Sequence, residues 1–233
     1  MYKFLLSIIP KRIKNSILGT YKEEIERNYD KYLLSIKAQQ FDLPRLDLNQ
    51  KHIRNLKVIE DRTRLLDFLP KNAVVAELGV DIGDFSSLII SKTNPVKIHL
   101  IDSWDTDRYS NSKKESVIAR FEKEIENNLI EINIGYSIQV LEKFENNYFD
   151  WIYIDTDHSY KTTKNELNLA SRKVKNNGII CGHDYYMGNW ITGYRYGVIE
   201  AVHEFCIEYN WEIIYLTIEQ SIPPSFAIRK IEL

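Results

Sequence analysis

The chain has few of the features that mark secreted, membrane-spanning or nucleic-acid-binding proteins. Its 233 residues include only two cysteines, Cys181 and Cys206, and 31 Lys and Arg stand against 33 Asp and Glu. A formal charge of −2 argues against affinity built on phosphate neutralisation, so we expect no nucleic-acid partner. No run approaches the ~20 apolar residues of a membrane-spanning helix. Both cysteines lie in apolar patterns, which predicts reduced core residues and a cytoplasmic protein.

The first residues form a basic segment without acids. Residues 1–19 carry Lys3, Lys11, Arg12 and Lys14, and their apolar run is too short for a secretory signal and stops at Pro10. One interpretation is an amphipathic arm that packs on the domain or on the second subunit of a homodimer. The alternative is a weak contact with an anionic membrane surface. We assign residues 1–48 to a helical N-terminal extension and residues 49–233 to the main domain.

Hydrophobic periodicity predicts the fold class. One helix contains Ile25, Tyr29, Leu33 and Ile36 and ends before Pro44, and a second is predicted at about 49–69. After it, strands at 73–78, 96–101, 131–134, 151–154, 179–181, 212–217 and 226–231 alternate with helices at 84–91, 113–128, 138–144, 161–174 and 198–209. Asn176-Asn177-Gly178 predicts the end of the helix at 161–174 and a turn before the strand at 179–181. This alternation predicts a Rossmann-like, doubly wound α/β fold whose mostly parallel seven-stranded sheet ends in an antiparallel hairpin.

A glycine-containing loop follows the first of these strands. Residues 77–83 read Glu-Leu-Gly-Val-Asp-Ile-Gly and lead into a helix, as in nucleotide-binding folds. Asp81 stands where the dinucleotide fingerprint has its second Gly, and its carboxylate would repel a diphosphate. A ligand with a positive centre and no phosphate, such as S-adenosylmethionine, fits better. Glu77 would then lie near its cations, and Asp102, at the end of the next strand, would accept its ribose hydroxyls.

Acids and imidazoles follow two later strands. Asp155, Asp157 and His158 end one strand, and His183 and Asp184 end the next. Open α/β folds bind ligands at this edge of the sheet, so we expect one crevice that holds a metal, moves a proton, or both. The structural alternatives are a helix cap for Asp155 and a hydrogen-bonded loop anchor for His183 and Asp184.

Several of these segments together resemble a known family. The matching stretches are residues 76–83, 100–104, 135–137, 154–160, 178–185 and 197–202. They resemble class I S-adenosylmethionine-dependent methyltransferases, and more narrowly the branch of macrocin-type and novobiocin-type sugar O-methyltransferases, which includes proteins labelled as cephalosporin hydroxylases. The resemblance extends from about Asn55 to the C-terminus.

The resemblance implies roles for particular residues. It implies magnesium binding by Asp155 and Asp184, with His183 as the third ligand, and a base at Asp157 or His158. Several relatives have Asp or Glu at the position of His183, so this imidazole orients a ligand, contacts substrate, or shifts the preference towards manganese or another transition metal. The cofactor-binding residues would be Glu77, Gly79, Gly83, Asp102, Ser103, Trp104, Ser137 and Asp155. Two of these have structural alternatives: Ser137 as a helix cap, and Trp104 as a core residue.

The expected reaction is methyl transfer to a hydroxyl of a sugar or glycosylated small molecule, with a divalent ion and a neighbouring base activating that hydroxyl. The rival functions are a dinucleotide-dependent oxidoreductase and a non-catalytic binding protein on the same fold. Aromatic faces stack on sugars, so we expect the acceptor to bind at an aromatic segment that follows the last of these strand ends. The alternative is that this segment forms a dimer contact. This segment contains Tyr185, Tyr186, Trp190, Tyr194, Arg195 and Tyr196.

Overall fold

The computed structural model describes residues 11–41, 43–106, 110–189 and 191–232. The chain divides into two compact units, Met1–Leu43 and Pro44–Leu233, whereas the boundary predicted from the sequence follows residue 48. In the first unit, helix α1 spans Lys11–Phe41 and exposes Tyr21, Ile25 and Tyr29. The prediction for residues 1–10 lies outside the described residues. Within the described ranges, no helix combines the length and apolar character needed to cross a bilayer.

The second unit is built on an eight-stranded sheet, whereas seven strands were predicted. The strands are β1 Lys57–Ile59, β2 Val74–Leu78, β3 Lys97–Asp102, β4 Ile130–Ile134, β5 Phe149–Ile154, β6 Val174–Gly182, β9 Trp211–Thr217 and β10 Phe226–Lys230. Their order is β1-β9-β10-β6-β5-β2-β3-β4, and the additional strand is β1, at one edge. All neighbours pair in parallel except β10, which is antiparallel to both β6 and β9. The predicted C-terminal hairpin is therefore confirmed. A separate hairpin pairs β7 Gly188–Asn189 with β8 Tyr194–Arg195.

Helices cover both faces of the sheet. They are α2 Arg62–Phe68, α3 Asp84–Thr93, α4 Asn111–Arg120, α5 Glu122–Glu126, α6 Ser137–Leu141, α7 Tyr160–Lys173 and α8 Val198–Tyr209. Side chains alternate along the buried strand β5: Trp151 and Tyr153 join one apolar cluster, while Ile152 and Ile154 join the other. Burial on both faces explains why residues 151–154 of β5 read as a continuous apolar run. The predicted Rossmann-like α/β fold is confirmed.

Three local predictions are wrong. The helix predicted at 49–69 is a 3-10 turn at Gln50–His52, the strand β1 and the short helix α2. Asp61 restarts the helix because its side chain accepts a hydrogen bond from the Arg64 backbone N–H at 2.7 Å. The helix predicted at 113–128 breaks at Phe121 into α4 and α5. The turn predicted at Asn176-Asn177-Gly178 lies inside β6, because α7 ends at Lys173 and Val174 is already extended.

The parallel strands deliver their carboxyl ends to one edge of the sheet. The residues that follow β2, β5 and β6 are joined across this edge by backbone hydrogen bonds. Gly79 N–H donates to Ile101 O at 2.9 Å, Asp155 N–H to Leu78 O at 2.7 Å, and His183 N–H to Ile154 O at 2.9 Å. The glycine loop and the acidic segments therefore form a single surface.

Candidate functional site

The glycine loop packs directly on the backbone of Asp155. Gly79 has φ +85°, and a Cβ there would lie 1.8 Å from the Asp155 carbonyl oxygen, so only glycine fits. Gly83 has φ +78°, precedes α3, and would place a Cβ 2.7 Å from the ring of Phe121. The close approach of Gly79 fixes the distance between the loop and the acidic cluster.

Asp102 orders this loop through backbone hydrogen bonds. Its Oδ2 accepts from Val80 N–H at 2.8 Å and Asp81 N–H at 3.1 Å, and its Oδ1 accepts from Trp104 N–H at 3.0 Å. Trp104 is 2% exposed, and its indole N–H donates to Asp81 O at 2.9 Å. Trp104 therefore lies in the core beneath the loop, the structural alternative foreseen for it. Lys113 forms an ion pair with the Asp81 carboxylate.

The two predicted serines have other partners. Ser103 Oγ donates to Asp105 at 2.7 Å. Ser137 Oγ donates to Glu166 Oε1 at 2.5 Å, and the cap position of α6 belongs to Tyr136, so the capping alternative for Ser137 is wrong. Glu166 is fully buried and also accepts from Thr156 Oγ1 at 2.9 Å. Burial raises the pKa of Glu166 to about 7, although both hydroxyls lower it.

Glu166 was missed by the sequence reasoning. It lies one residue before Leu167 and four before Ala170, two positions assigned to the apolar face of α7. A carboxyl at that helical spacing is expected to be buried, and this signal could have found it.

Glu77 lies beneath the loop and not in the open crevice. Its side chain is buried, and its carboxyl accepts a hydrogen bond from Ser86 Oγ at 2.5 Å. Burial raises the pKa of Glu77 to about 8, and the nearby Asp155 and Asp102 carboxylates add to this, while Ser86 and Arg62 oppose it. At neutral pH Glu77 is therefore mostly a neutral acid, which becomes an anion more readily when a cation approaches.

The acids and imidazoles at the ends of β5 and β6 form a compact cluster. His158 Nε2 lies 2.8 Å from Asp184 Oδ2 and 3.3 Å from Asp155 Oδ1. His183 Nδ1 lies 3.0 Å from Asp184 Oδ2 and 3.8 Å from Asp155 Oδ2. Four of the five side chains predicted to share one crevice therefore meet here, and the fifth, Asp157, bonds elsewhere. His158 and Asp184 have φ of 62° and 57°, a left-handed backbone that non-glycine residues adopt mostly under functional or structural constraint.

The two carboxylates keep His158 charged. Burial alone would lower the pKa of His158, but its hydrogen bonds to Asp155 and Asp184 outweigh burial and raise the pKa to about 9. Burial would raise the pKa of the Asp184 carboxyl, but the hydrogen bonds from His158 and His183 hold it well below its ordinary range. At neutral pH the centre of the cluster is thus an imidazolium between two carboxylates.

Asp157 has a different role in this geometry. Its Oδ1 accepts from Ser159 N–H and its Oδ2 from Thr162 Oγ1, both at 2.8 Å. The N-cap of α7 is Ser159, whose hydroxyl accepts from Thr162 N–H at 3.2 Å, so the capping alternative for Asp155 is wrong. Asp157 secures the first turn of α7, while Asp155 faces the cluster.

The cluster offers donors for a divalent ion. Asp155, His158 and Asp184 each present one ligand atom within 4.8 Å of the other two. This group contains His158 where the sequence predicted His183. His183 Nε2 is buried without a hydrogen-bond partner in the described part of the chain, beside a cavity of about 10 Å³ that it lines with His158. Two carboxylates and imidazole nitrogens fit a divalent ion, and this mixed set suits manganese or another transition metal better than magnesium.

Part of the predicted aromatic segment borders the cluster. The Tyr196 ring lies 5.0 Å from the His158 ring, and Tyr194 OH donates to Asp157 O at 3.3 Å. Gly197 N–H donates to His158 O at 2.9 Å, which connects the residues after β8 to the strand-end loop. Tyr185 instead bonds to His203 at 2.6 Å, and Trp190 lies outside the described residues.

One cationic neighbour of the cluster was not foreseen. Arg62, the first residue of α2, places Nη1 3.5 Å from Asp155 Oδ2 and its guanidinium carbon 4.5 Å from the centroid of the Phe85 ring. The helix predicted at 49–69 put this residue in a helix interior. The Asp61 cap signal could have placed it at a helix start facing the sheet edge.

Residues 76–185 match the family model of a methyltransferase domain. This range contains every residue predicted to bind the cofactor or a metal or to act as the base. No curated protein sequence matches the chain.

Solved structures with the same fold include several methyltransferases. A candidate rRNA methylase of Clostridium thermocellum matches with a TM-score of 0.55 at 16% identity, over 74% of this chain and 99% of that one. The candidate methyltransferase SMU.1697c of Streptococcus mutans, solved in complex with SAH, matches with a TM-score of 0.53 at 12% identity, over 72% and 95%. An O-methyltransferase family protein of Burkholderia thailandensis matches with a TM-score of 0.54 at 8% identity, over 72% and 55%. At these identities the likeness establishes the Rossmann-like methyltransferase fold and leaves the acceptor open.

Proposed function

We propose that this protein is an S-adenosylmethionine-dependent O-methyltransferase that acts on a hydroxyl of a sugar or a glycosylated small molecule. The observation that carries the proposal is the imidazole of His158 held between Asp155 and Asp184, directly beside the glycine loop. A proton acceptor next to a cofactor loop is what hydroxyl methylation requires, because the methyl donor is already activated and the hydroxyl must lose its proton.

The charge of the loop suits a cationic donor. Asp81 lies in the loop, and Asp155 contacts the loop through its backbone. Glu77, buried beneath the loop, adds a negative charge only when a cation draws off its proton. A dinucleotide would bring a diphosphate into this acidic surrounding, whereas the sulfonium and ammonium of S-adenosylmethionine would be attracted to it. The same charge disfavours the oxidoreductase alternative.

His158 acts as the base after its imidazolium has lost a proton. A sulfonium that enters beside Asp155 and Asp184 takes over part of the positive charge that His158 contributes, which lowers the pKa of the imidazole. Its Nε2–H stays bonded to Asp184, and Nδ1 becomes the accepting atom. The acceptor oxygen then forms a bond to the methyl carbon as the carbon–sulfur bond breaks, and its proton passes to His158. Asp157 is occupied at the start of α7, so we assign it a positioning role and His158 the basic one.

The carboxylates of Asp155 and Asp184 would hold a divalent ion, which would, when bound, increase the acidity of the acceptor hydroxyl. We assign the third ligand to His183 and not to His158, because the proposed base keeps its Nε2–H on Asp184. The acceptor itself we place against the exposed Tyr194, beside the buried ring of Tyr196, because aromatic faces stack on sugar rings. We also propose that the protein is cytoplasmic and that it can form a homodimer.

A titration separates the proposed function from its rivals. Calorimetry with SAH should give binding and with NAD should give none, because the loop excludes a diphosphate. Binding of NAD instead would favour the oxidoreductase, and binding of neither would favour a non-catalytic protein. Turnover is then measured as SAH released from S-adenosylmethionine with a panel of free and glycoside sugars.

The base is tested with a matched pair of histidine variants. His158→Gln should keep SAH affinity and lose at least about 100-fold in turnover, the usual contribution of a general base. His203→Gln is the control, because His203 bonds to Tyr185 and to Leu46 O away from the cluster. Equal turnover in the two variants would refute the role of His158.

A further inference from the structure

Arg62 brings a positive charge to the site, and the proposed reaction does not use this charge. Its backbone is fixed, because its N–H donates to Glu219 Oε1 at 3.1 Å at the start of α2. Its side chain reaches the cluster over the ring of Phe85 and remains 24% exposed. It lies outside residues 76–185, the range that matches the methyltransferase domain.

The ion pair between Arg62 and Asp155 leaves guanidinium donors available. Arg62 Nη1 and Asp155 Oδ2 are 3.5 Å apart, longer than the 2.7–2.9 Å typical of a charge-assisted hydrogen bond. A guanidinium has five N–H donors, and a carboxylate can accept two of them side by side. Arg62 can therefore bind a second carboxylate more closely than it binds Asp155.

The proposed cofactor brings a group that needs such a cation. S-adenosylmethionine carries two positive centres, which suit the acids of the site, and one carboxylate, which those acids would repel. On the other side of the loop, Lys113 pairs with Asp81, and Arg120 pairs with Asp84 at 2.6 Å. Among the described residues, Arg62 is the arginine that pairs with Asp155. The other cation there, the His158 imidazolium, is already held between Asp155 and Asp184.

The sheet order indicates which end of the cofactor lies there. Strand β2 stands between β3 and β5, so the glycine loop lies between Asp102 at the end of β3 and Asp155 after β5. With the ribose at Asp102, the methionine end extends across the loop towards Asp155, Phe85 and Arg62.

We infer that Arg62 binds the methionine carboxylate of S-adenosylmethionine, exchanging its contact with Asp155 for this ligand. This inference rests on the proposed cofactor. The guanidinium partly neutralises Asp155 as the two side chains lie in this structure, and cofactor binding releases Asp155 to face the acceptor. Arg62 is then a specificity-determining residue, because a donor without the carboxylate would gain nothing from the exchange.

The test compares two ligands that differ only in this group. SAH and S-adenosyl-3-thiopropylamine, which keeps the ammonium and lacks the carboxylate, are titrated calorimetrically into the full chain with EDTA present, so that no metal contributes. The wild-type protein should bind SAH about 10- to 100-fold more tightly, the range expected for hydrogen bonds to a charged group. Arg62→Met should reduce this ratio to nearly one, with the loss confined to SAH.

A second arginine provides the control. Arg64 lies two residues along the same helix and pairs with Asp67 at 2.8 Å, so Arg64→Met should keep the wild-type ratio. Arg62→Lys should keep part of the preference for SAH over the amine. If Arg62→Met does not fold, the ratios of affinities in Arg62→Lys and in the wild-type protein provide the test. A wild-type ratio near one, or an unchanged ratio in Arg62→Met, would overturn the role of Arg62 and leave the proposed function standing. Absence of SAH binding by the wild-type protein would overturn both.

Discussion

Replacing Glu77 by Gln should stabilise the protein increasingly as the pH rises. The pKa of Glu77 is raised from 4.5 to about 8 by burial beneath the glycine loop. A carboxyl that ionises in the unfolded chain but stays protonated when folded reduces stability once the pH exceeds its unfolded pKa, and the loss grows until the folded pKa is reached. The amide introduced by Glu77→Gln does not titrate in this range, and its oxygen can still accept the Ser86 hydrogen bond.

The magnitude follows from these two pKa values. At pH 5 the wild-type carboxyl costs about 1 kcal/mol, and at pH 7 it costs about 3 kcal/mol, at 1.36 kcal/mol per pH unit above the unfolded value. The advantage of Glu77→Gln should therefore grow by about 2 kcal/mol between the two pH values. Any constant effect of burying an amide cancels in this difference.

The assay is urea unfolding followed by tryptophan fluorescence at pH 5 and pH 7, since Trp104, Trp151 and Trp211 are buried. Glu122→Gln, at an exposed position of α5, is the matched control for the substitution itself. An advantage of Glu77→Gln that is the same at both pH values would refute the protonated, buried carboxyl.

Four further outcomes are expected. Because the His158 imidazolium must lose its proton before it can act as a base, kcat/KM should rise with pH towards about 9, where the folded pKa lies, and a decline between pH 7 and 9 would contradict this. Gly79→Ala should lower the free energy of unfolding in urea by more than about 2 kcal/mol, because a left-handed alanine is strained and its Cβ would lie 1.8 Å from Asp155 O. The control is Gly19→Ala, which should not lower it, because a Cβ there meets nothing within 4 Å. Asp155→Ala should abolish turnover while SAH affinity stays nearly intact, and a large loss of affinity would argue against an acceptor-side role. Dialysis against EDTA should reduce turnover if the cluster holds a metal, and full activity after it would refute that metal.

Local patterns were sufficient for seven of the eight strands of the central sheet and for the position of the site. Each of these seven strands contains a short apolar or alternating run, and the acids that follow β5 and β6 mark the edge of the sheet at which the site lies. The same patterns failed at 49–69, where apolar spacing resembled one helix. There Ile59 instead pairs with Thr217 at the edge of the sheet, and Asp61 begins a new helix. A long-range strand pair outweighed a local period.

The sequence alone determined which strand-end and glycine-loop residues reach the site, because strand ends and glycine turns are encoded by neighbours along the chain. Tertiary structure decided what each group does there. It buried Glu77 and raised its pKa, directed Asp157 into the start of α7, and brought His158 between Asp155 and Asp184 through left-handed backbone at two positions. It also brought Arg62 to Asp155 across 93 residues of chain. Burial and charge pairing depend on distances between segments remote in the chain, and only the folded arrangement of the sheet sets those distances.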